Sequence, residues 1–231
     1  LPIHHLKRVK TMTEMLLRNW ICEIGRRLHQ RDMIAAADGN ISVRFGDDQF
    51  LCTPSGVSKG FLRPDDIVIA DSCGEKVAGE GKVTSEFFTH LAAYQNRPET
   101  QAVIHAHPTY ATVLTIMGVN TTAPILPEVV MNMVALPVAP YATPGSREGA
   151  DAITALIKEY DALLLERHGA ITVGADLQEA YMRMERLEHA AKTLYLCSLL
   201  GKPPVIPPDE LAKLMAVAVP SCTPPPPYPF P

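Results

Sequence analysis

Residues 36–56 constrain the fold more than any other stretch. Two short runs, AADGNISVRF and QFLCTPSG, read as strands, with Gly39-Asn40 before the first and Pro54-Ser55-Gly56 closing the second. Turn residues of this kind join neighbouring strands as hairpins rather than through long crossovers. Further short strands are expected at Ile67–Ala70, Ala102–His105, Val134–Val138, Ala162–Leu165 and Ala170–Val173. Helical patterns lie between them. Thr11–Arg31 opens on a Thr11/Glu14 capping box and repeats Met12, Leu16, Trp20, Ile24 and Leu28 on one face. Thr84-Ser85 is expected to cap a helix at Glu86–Asn96. Others are expected at Thr109–Met117, at Ser146–Tyr160 with Ile153, Leu156 and Ile157 inward, and from an Asp176/Glu179 box to about Leu200. DSCGEKVAGEGK is polar and Gly-rich and reads as a turn or exposed loop. Irregular alternation with hairpin signals favours a three-layer α/β/α sandwich with a central, mainly antiparallel sheet over a doubly wound parallel sheet.

The 231 residues suffice for one domain with a sizeable core. That domain is expected over 1–202, followed by a Pro-rich C-terminal tail at 203–231, in which the prolines forbid regular structure after about Val219. The tail can pack on its own protein or serve as a proline-rich ligand for another domain. A net charge of −4 offers no basic excess for nucleic acid or anionic lipid. An anionic substrate would then need a local positive site. The five cysteines, Cys22, Cys52, Cys73, Cys197 and Cys222, are scattered and odd in number, which fits a reducing compartment. With no secretory h-region in LPIHHLKRVK and no long apolar run, a cytoplasmic protein with no membrane span is expected. Neither G-x-G-x-x-G nor a Walker loop is present, so nucleotide binding has no support.

The chemistry concentrates in V-I-H-A-H-P at 103–108. Residues i and i+2 on a strand share a face, so His105 and His107 can present two imidazoles side by side where Pro108 ends the strand. Imidazole suits a borderline divalent ion such as zinc. His168, just past the apolar run of LLLERHG, is the best third ligand, and Gly169 permits close backbone approach. Three protein ligands with open positions are the pattern of a catalytic site. The bland alternative is a polar strand edge. His4, His5, His29, His90 and His189 read as structural. Glu86 has two readings: a first-turn acid favoured by the helix dipole, or a carboxylate over the open metal position that shuttles a proton. The N–H groups of Gly39, Asn40, Ser55, Gly56 and Ser85 can hold an anion or be plain turn chemistry.

At these residues the chain resembles the class II aldolase/adducin family, closest to its L-fuculose-phosphate aldolase branch. The resemblance rests on DGNISVRFG, FLCTPSGV, TSEFFTHLAAYQNRPETQAVIHAHPTYAT, VAPYATPGSRE and LLLERHGAITVGADLQEAYMRMERLEHAAKTLYL, which cover most of residues 11–205. It implies an α/β/α sandwich and a homotetramer with active sites at subunit interfaces. It also implies zinc, or a similar ion such as manganese, on His105, His107 and His168. Glu86 matches the aldolases' catalytic acid/base, and Asn40, Ser55, Gly56, Thr84 and Ser85 match their phosphate-binding positions. The implied reaction is retro-aldol cleavage of a sugar phosphate or related hydroxy-ketone through a metal-stabilised enediolate.

The departures bear on the substrate. The aldolases' tyrosine that protonates the aldehyde oxygen has no counterpart in APILPEVVMNM, and Tyr228 matches their C-terminal tyrosine poorly. Glu128 can be a second acid, a buried structural carboxylate or a surface-loop residue. The alternative is a decarboxylase of the same family acting on a metal-chelating hydroxy-aromatic or oxo acid. Related epimerases usually carry Asp at the Glu86 position, related dehydratases lack Glu there, and adducin-like scaffolds lack the full histidine triad.

Overall fold

The structure, a computed structural model, describes residues 2–46 and 48–217, with side chains from residue 13 onward. The described residues form β1 (Asn40–Arg44), β2 (Gln49–Cys52), β3 (Val68–Asp71), β4 (Lys76–Ala78), β5 (Ala102–Ala106), β6 (Val138–Ala139), β7 (Ala162–Leu165) and β8 (Gly169–Gly174). The helices are α1 (Pro2–Gln30), α2 (Phe87–Asn96), α3 (Thr109–Ile116), α4 (Pro127–Met133), α5 (Arg147–Thr154), α6 (Leu177–Leu200) and α7 (Pro208–Val217). All strands join one sheet in the order β4-β3-β2-β1-β5-β8-β7-β6. Neighbours are antiparallel except β6 and β7.

Period-two alternation splits each central strand between two cores. Ala102, Ile104 and Ala106 of β5 share a core with Ile24 and Leu28 of α1 and Met184 and Leu187 of α6. Val103 of β5 and Ile171 of β8 share the other with Leu91 and Tyr94 of α2 and Ile153 and Ile157 around α5. Helices cover both faces, so β5, β7 and β8 are buried throughout. This is the expected three-layer sandwich with a mainly antiparallel sheet.

Several local expectations change. α1 begins at Pro2, so Thr11 and Glu14 lie inside the helix rather than at its start. Leu6, Lys7, Arg8 and Lys10 upstream are good helix formers, and proline is tolerated in a first turn. Its buried face is Ile21, Ile24 and Leu28, whereas Leu16 is exposed. Lys76–Ala78, read as loop, is an exposed edge strand on β3. Asp71 Oδ1 builds its turn by accepting from the N–H groups of Cys73 and Glu75, both at 2.9 Å. The Val134–Val138 strand shrinks to Val138–Ala139, because Val134 takes φ +65° at the end of the unforeseen α4. Helix α5 stops at Thr154 rather than Tyr160, with turns filling the gap. Within the Pro-rich stretch, α7 packs on α4, and Ile206 N–H donates to Pro124 O at 2.8 Å. Positions beyond 217, including Cys222, Tyr228 and the final proline run, lie outside the described residues. No described helix is long and apolar enough to cross a membrane.

Candidate metal centre and active site

The site forms where β1, β5 and β8 meet the start of α2. His105, on β5, points toward the α2 side with Val103, as its register with Asn40 on β1 and Ile171 on β8 requires. Its Nδ1–H donates to Ala170 O at 2.9 Å. That bond fixes the tautomer and leaves Nε2 as a bare lone pair. His107 is held just past the strand end, where its backbone N–H donates to Met33 O at 2.8 Å. His168 sits in the tight β7–β8 turn after Arg167, whose φ of +59° is rare for a side chain of this kind. Arg167 N–H donates to Thr115 Oγ1 at 3.0 Å, which anchors the turn to α3. Gly169 is required for the approach, since a Cβ there would lie 2.3 Å from Ala106 O and 2.9 Å from His107 Cδ2.

These elements bring the three histidines together with ring centroids 4.7 to 4.8 Å apart. One nitrogen from each lies within 4.8 Å of the others, a cluster that could hold a metal ion. Glu86 joins them, with Oε2 3.0 Å from His105 Nε2 and Oε1 3.3 Å from His168 Nε2. His107 Nε2 lies 3.0 Å from the same His105 Nε2. Lone pairs from His105, His107 and a carboxylate thus face one another, an arrangement that calls for a cation or proton between them. The donor set, imidazole nitrogen with a carboxylate alongside, fits a divalent transition metal.

Electrostatics keep these groups ready to ligate. Burial pushes the Glu86 carboxyl up, but His105 and His168 facing it outweigh burial and hold it down at about 2. Burial pushes both His105 and His107 down to about 4, against the pull of Glu86. His105 and His107 are therefore neutral, and Glu86 is ionised, at neutral pH.

Glu86 takes the N-cap position of α2 itself, while Thr84 and Ser85 precede it without capping through their side chains. The Thr84 carbonyl accepts from Phe87 N–H at 3.2 Å. Asn40 is buried beside His105 on the neighbouring strand. A bridge between Pro54 and Val83 brings the Ser55-Gly56 turn alongside Thr84-Ser85. All five candidate anion-binding residues thus border the same end of the sheet. Gly56 has φ +74° with open space around it, and Ser55 and Ser85 are exposed. Glu86, Thr89, Gly145, Glu166 and His168 are among the residues lining a shallow cleft. Glu128 is exposed in the first turn of α4 and does not line it.

Three neighbours escape a linear reading. Asp38 Oδ2 lies 3.7 Å from His107 Nδ1. Lys59 is 2% exposed, donates to Ala37 O at 2.5 Å, and is pushed down to about 8 by burial. His90 is fully buried and bonds Asn40 and Ser42. Only His90 left a signal, being one helical turn after Glu86 on the same face.

A family model, Class II Aldolase and Adducin N-terminal domain, matches residues 19–195. The 3-oxo-tetronate 4-phosphate decarboxylase of Escherichia coli K12 is 35% identical over 196 residues, 83% of this chain and 91% of that protein. The L-fuculose phosphate aldolase of Methanococcus maripaludis strain S2 is 35% identical over 178 residues, 77% and 96% of the two chains. Among solved structures, YgbL of Escherichia coli, a candidate aldolase, epimerase or decarboxylase, superposes with TM-score 0.80 at 33% identity over 88% of this chain and 99% of that one. L-fuculose-1-phosphate aldolase of Thermus thermophilus does so with TM-score 0.71 at 31% identity, covering 82% and 98%. The aldolase and the decarboxylase weighed in the sequence are both among the relatives, and both are lyases. The chain is an enzyme of this lyase kind and belongs to the class II aldolase and adducin family.

Proposed function

We propose that this chain is a divalent-metal-dependent carbon–carbon lyase that decarboxylates a phosphorylated 3-oxo acid, with retro-aldol cleavage of a ketose phosphate as the second reading. The observation that carries the order is that Glu86 stands as the carboxylate against the histidine triad, while 123–133 carries no tyrosine. Decarboxylation needs one proton delivered to carbon, because carbon dioxide leaves without one. Aldol cleavage must also take a proton from the hydroxyl that becomes the aldehyde. The decarboxylase thus moves ahead of the aldolase, reversing the order drawn from sequence. Glu86 itself keeps the aldolase reading in play, since a carboxylate can serve both proton transfers in turn.

In this reading His105, His107 and His168 hold the ion, zinc ahead of manganese because three imidazoles suit the later transition metals. The bound ion supplies Lewis-acid polarisation of the substrate carbonyl. Asn40, Ser55, Gly56, Thr84 and Ser85 supply N–H and O–H donors to the phosphate, supported by their common position beside the triad. Glu86, ionised at rest, takes a proton from solvent and passes it to the carbon that has lost its carboxyl group. The Gly145 loop and His168 wall the cleft and limit water at that carbon. The protein acts in carbohydrate metabolism in the cytoplasm as a homotetramer. Exposed Ile116, Met117, Val134, Leu196 and Leu199 support assembly, and buried free Cys22 and Cys52 support a reducing compartment.

The test is carbon-13 NMR of the metal-loaded protein, with and without chelator, on 3-oxo-tetronate 4-phosphate and on ketose phosphates. Chelator-sensitive carbon dioxide with no aldehyde is expected. An aldehyde fragment from a ketose phosphate would establish the second reading, and inertness toward both substrate sets would overturn the two together. Metal analysis and light scattering check the ion and the tetramer.

A further inference from the structure

His90 has no part in the reaction described above, yet it is buried beside it. Its Nε2 lies 2.5 Å from Asn40 Oδ1, and its Nδ1 lies 2.6 Å from Ser42 Oγ. Ser42 Oγ lies in turn 2.9 Å from the Tyr94 hydroxyl. Burial pushes the His90 ring down to about 4, with Glu86 pulling the other way, so at neutral pH it carries one proton between two partners. The chain can run in either direction. With the proton on Nε2, His90 donates to the Asn40 oxygen and turns the Asn40 NH2 group away from itself. With the proton on Nδ1, the amide must reverse and present its oxygen instead.

The far end decides. The chain ends on the Tyr94 phenol, and Arg44 lies over the Tyr94 ring at 5.0 Å. A phenol is more acidic than an aliphatic hydroxyl and so the stronger donor, and a nearby cation strengthens it further. Tyr94 therefore donates to Ser42, Ser42 donates to His90 Nδ1, and His90 Nε2–H donates to Asn40. Strand and helix spacing build this line, since Asn40 and Ser42 share one face of β1 and His90 and Tyr94 share one face of α2.

We propose that His90 is a positioning residue which, through the polarised Tyr94–Ser42–His90 chain, holds the Asn40 amide with its NH2 group toward the substrate and so makes Asn40 a donor for the substrate's phosphate. The inference rests on the reading of Asn40 as a phosphate-binding residue. It explains why a histidine is buried beside Asn40: an unsupported amide could turn its oxygen to the anion and repel it.

The experiment uses the zinc-loaded full chain with inorganic phosphate as probe, read by calorimetry, together with two-bond proton–nitrogen NMR of His90. The Nε2–H tautomer is expected. Glutamine reproduces the Nε2 donor, so His90→Gln should hold phosphate within about threefold of the parent, whereas His90→Asn, which reaches only Ser42, should bind about tenfold more weakly. Zinc stoichiometry should be unchanged in both. Ser42→Ala removes the polarising donor without touching the ring and should also weaken phosphate binding. An Nδ1–H tautomer overturns the inference. Weakening by Asn40→Ala but not by His90→Asn or Ser42→Ala overturns it alone. No effect of Asn40→Ala overturns the phosphate role of Asn40 and this inference with it.

Discussion

Glu86 combines burial with two nitrogen neighbours, and both constrain what can replace it. Its side chain is 13% exposed, and each oxygen faces one imidazole. Glutamine matches the shape but cannot carry the proton. Glu86→Gln should keep full zinc stoichiometry while turnover falls by about 10²- to 10⁴-fold, measured by metal analysis beside single-turnover kinetics. Turnover at the parent rate would remove Glu86 from the acid/base role. His107 makes the opposite case. It is the ligand past the strand end, supported by Met33 O through its backbone and by Asp38 near its ring. His107→Ala should lose the zinc and the activity while the fold survives, because the backbone bond to Met33 does not need the imidazole. Equilibrium dialysis showing one zinc per chain would strike His107 from the ligand set. The triad was legible because strand periodicity and a terminating proline are local. His90 and Lys59 were not, because their meaning lies in Asn40, Ser42 and Ala37, which only the fold brings near.

At the scale of elements, the β7–β8 hairpin controls the site more directly than any helix. It aims His168 and packs against the end of β5, and Gly169 is the point of contact. A Cβ there would meet Ala106 O at 2.3 Å, which no rotamer change relieves. Gly169→Ala should destabilise the fold by about 1–3 kcal/mol through overpacking and should also weaken zinc binding, since His107 Cδ2 is the next atom met, at 2.9 Å. Gly118→Ala is the control. It meets nothing within 4 Å and suffers only from its φ of +63°, so it should cost about 1 kcal/mol and leave zinc binding intact. Thermal melts and zinc titration of both variants separate site loss from general instability. The central strands were legible because burial on both faces writes continuous apolar runs such as ALLL. Edge strand β4 was not, since three exposed residues held only by backbone bonds leave no hydrophobic pattern. Helix α4 and the two-residue β6 were hidden for a related reason. A dense apolar stretch with proline has no clear period, and the positive φ of Val134 is set by packing rather than by residue type.

At the scale of the whole molecule, the central sheet and the α2 helix packed on it bury histidines that must stay neutral. His90 and His105 are essentially inaccessible, and burial pushes both down to about 4 from an ordinary value near 6.5. The unfolded chain therefore binds these protons more tightly than the folded one. Stability is complete above pH 6.5 and is lost as pH falls toward 4, by roughly 1 kcal/mol per pH unit for each histidine. Glu86 works in the same direction but lower. Its carboxyl is held at about 2 against an ordinary 4.5, so its contribution survives to about pH 4.5 and disappears only below that. The chain with its metal removed by chelator, so that no ion competes with protons, should lose melting temperature steadily from pH 6.5 to 4. His90→Gln removes one of the titrating rings while keeping a donor to Asn40, so its melting curve should fall less steeply over that window and match the parent's slope above it. A melting temperature independent of pH between 6.5 and 4 would show that these imidazoles are not kept neutral by burial, and the supply of free lone pairs at the centre would then need another cause.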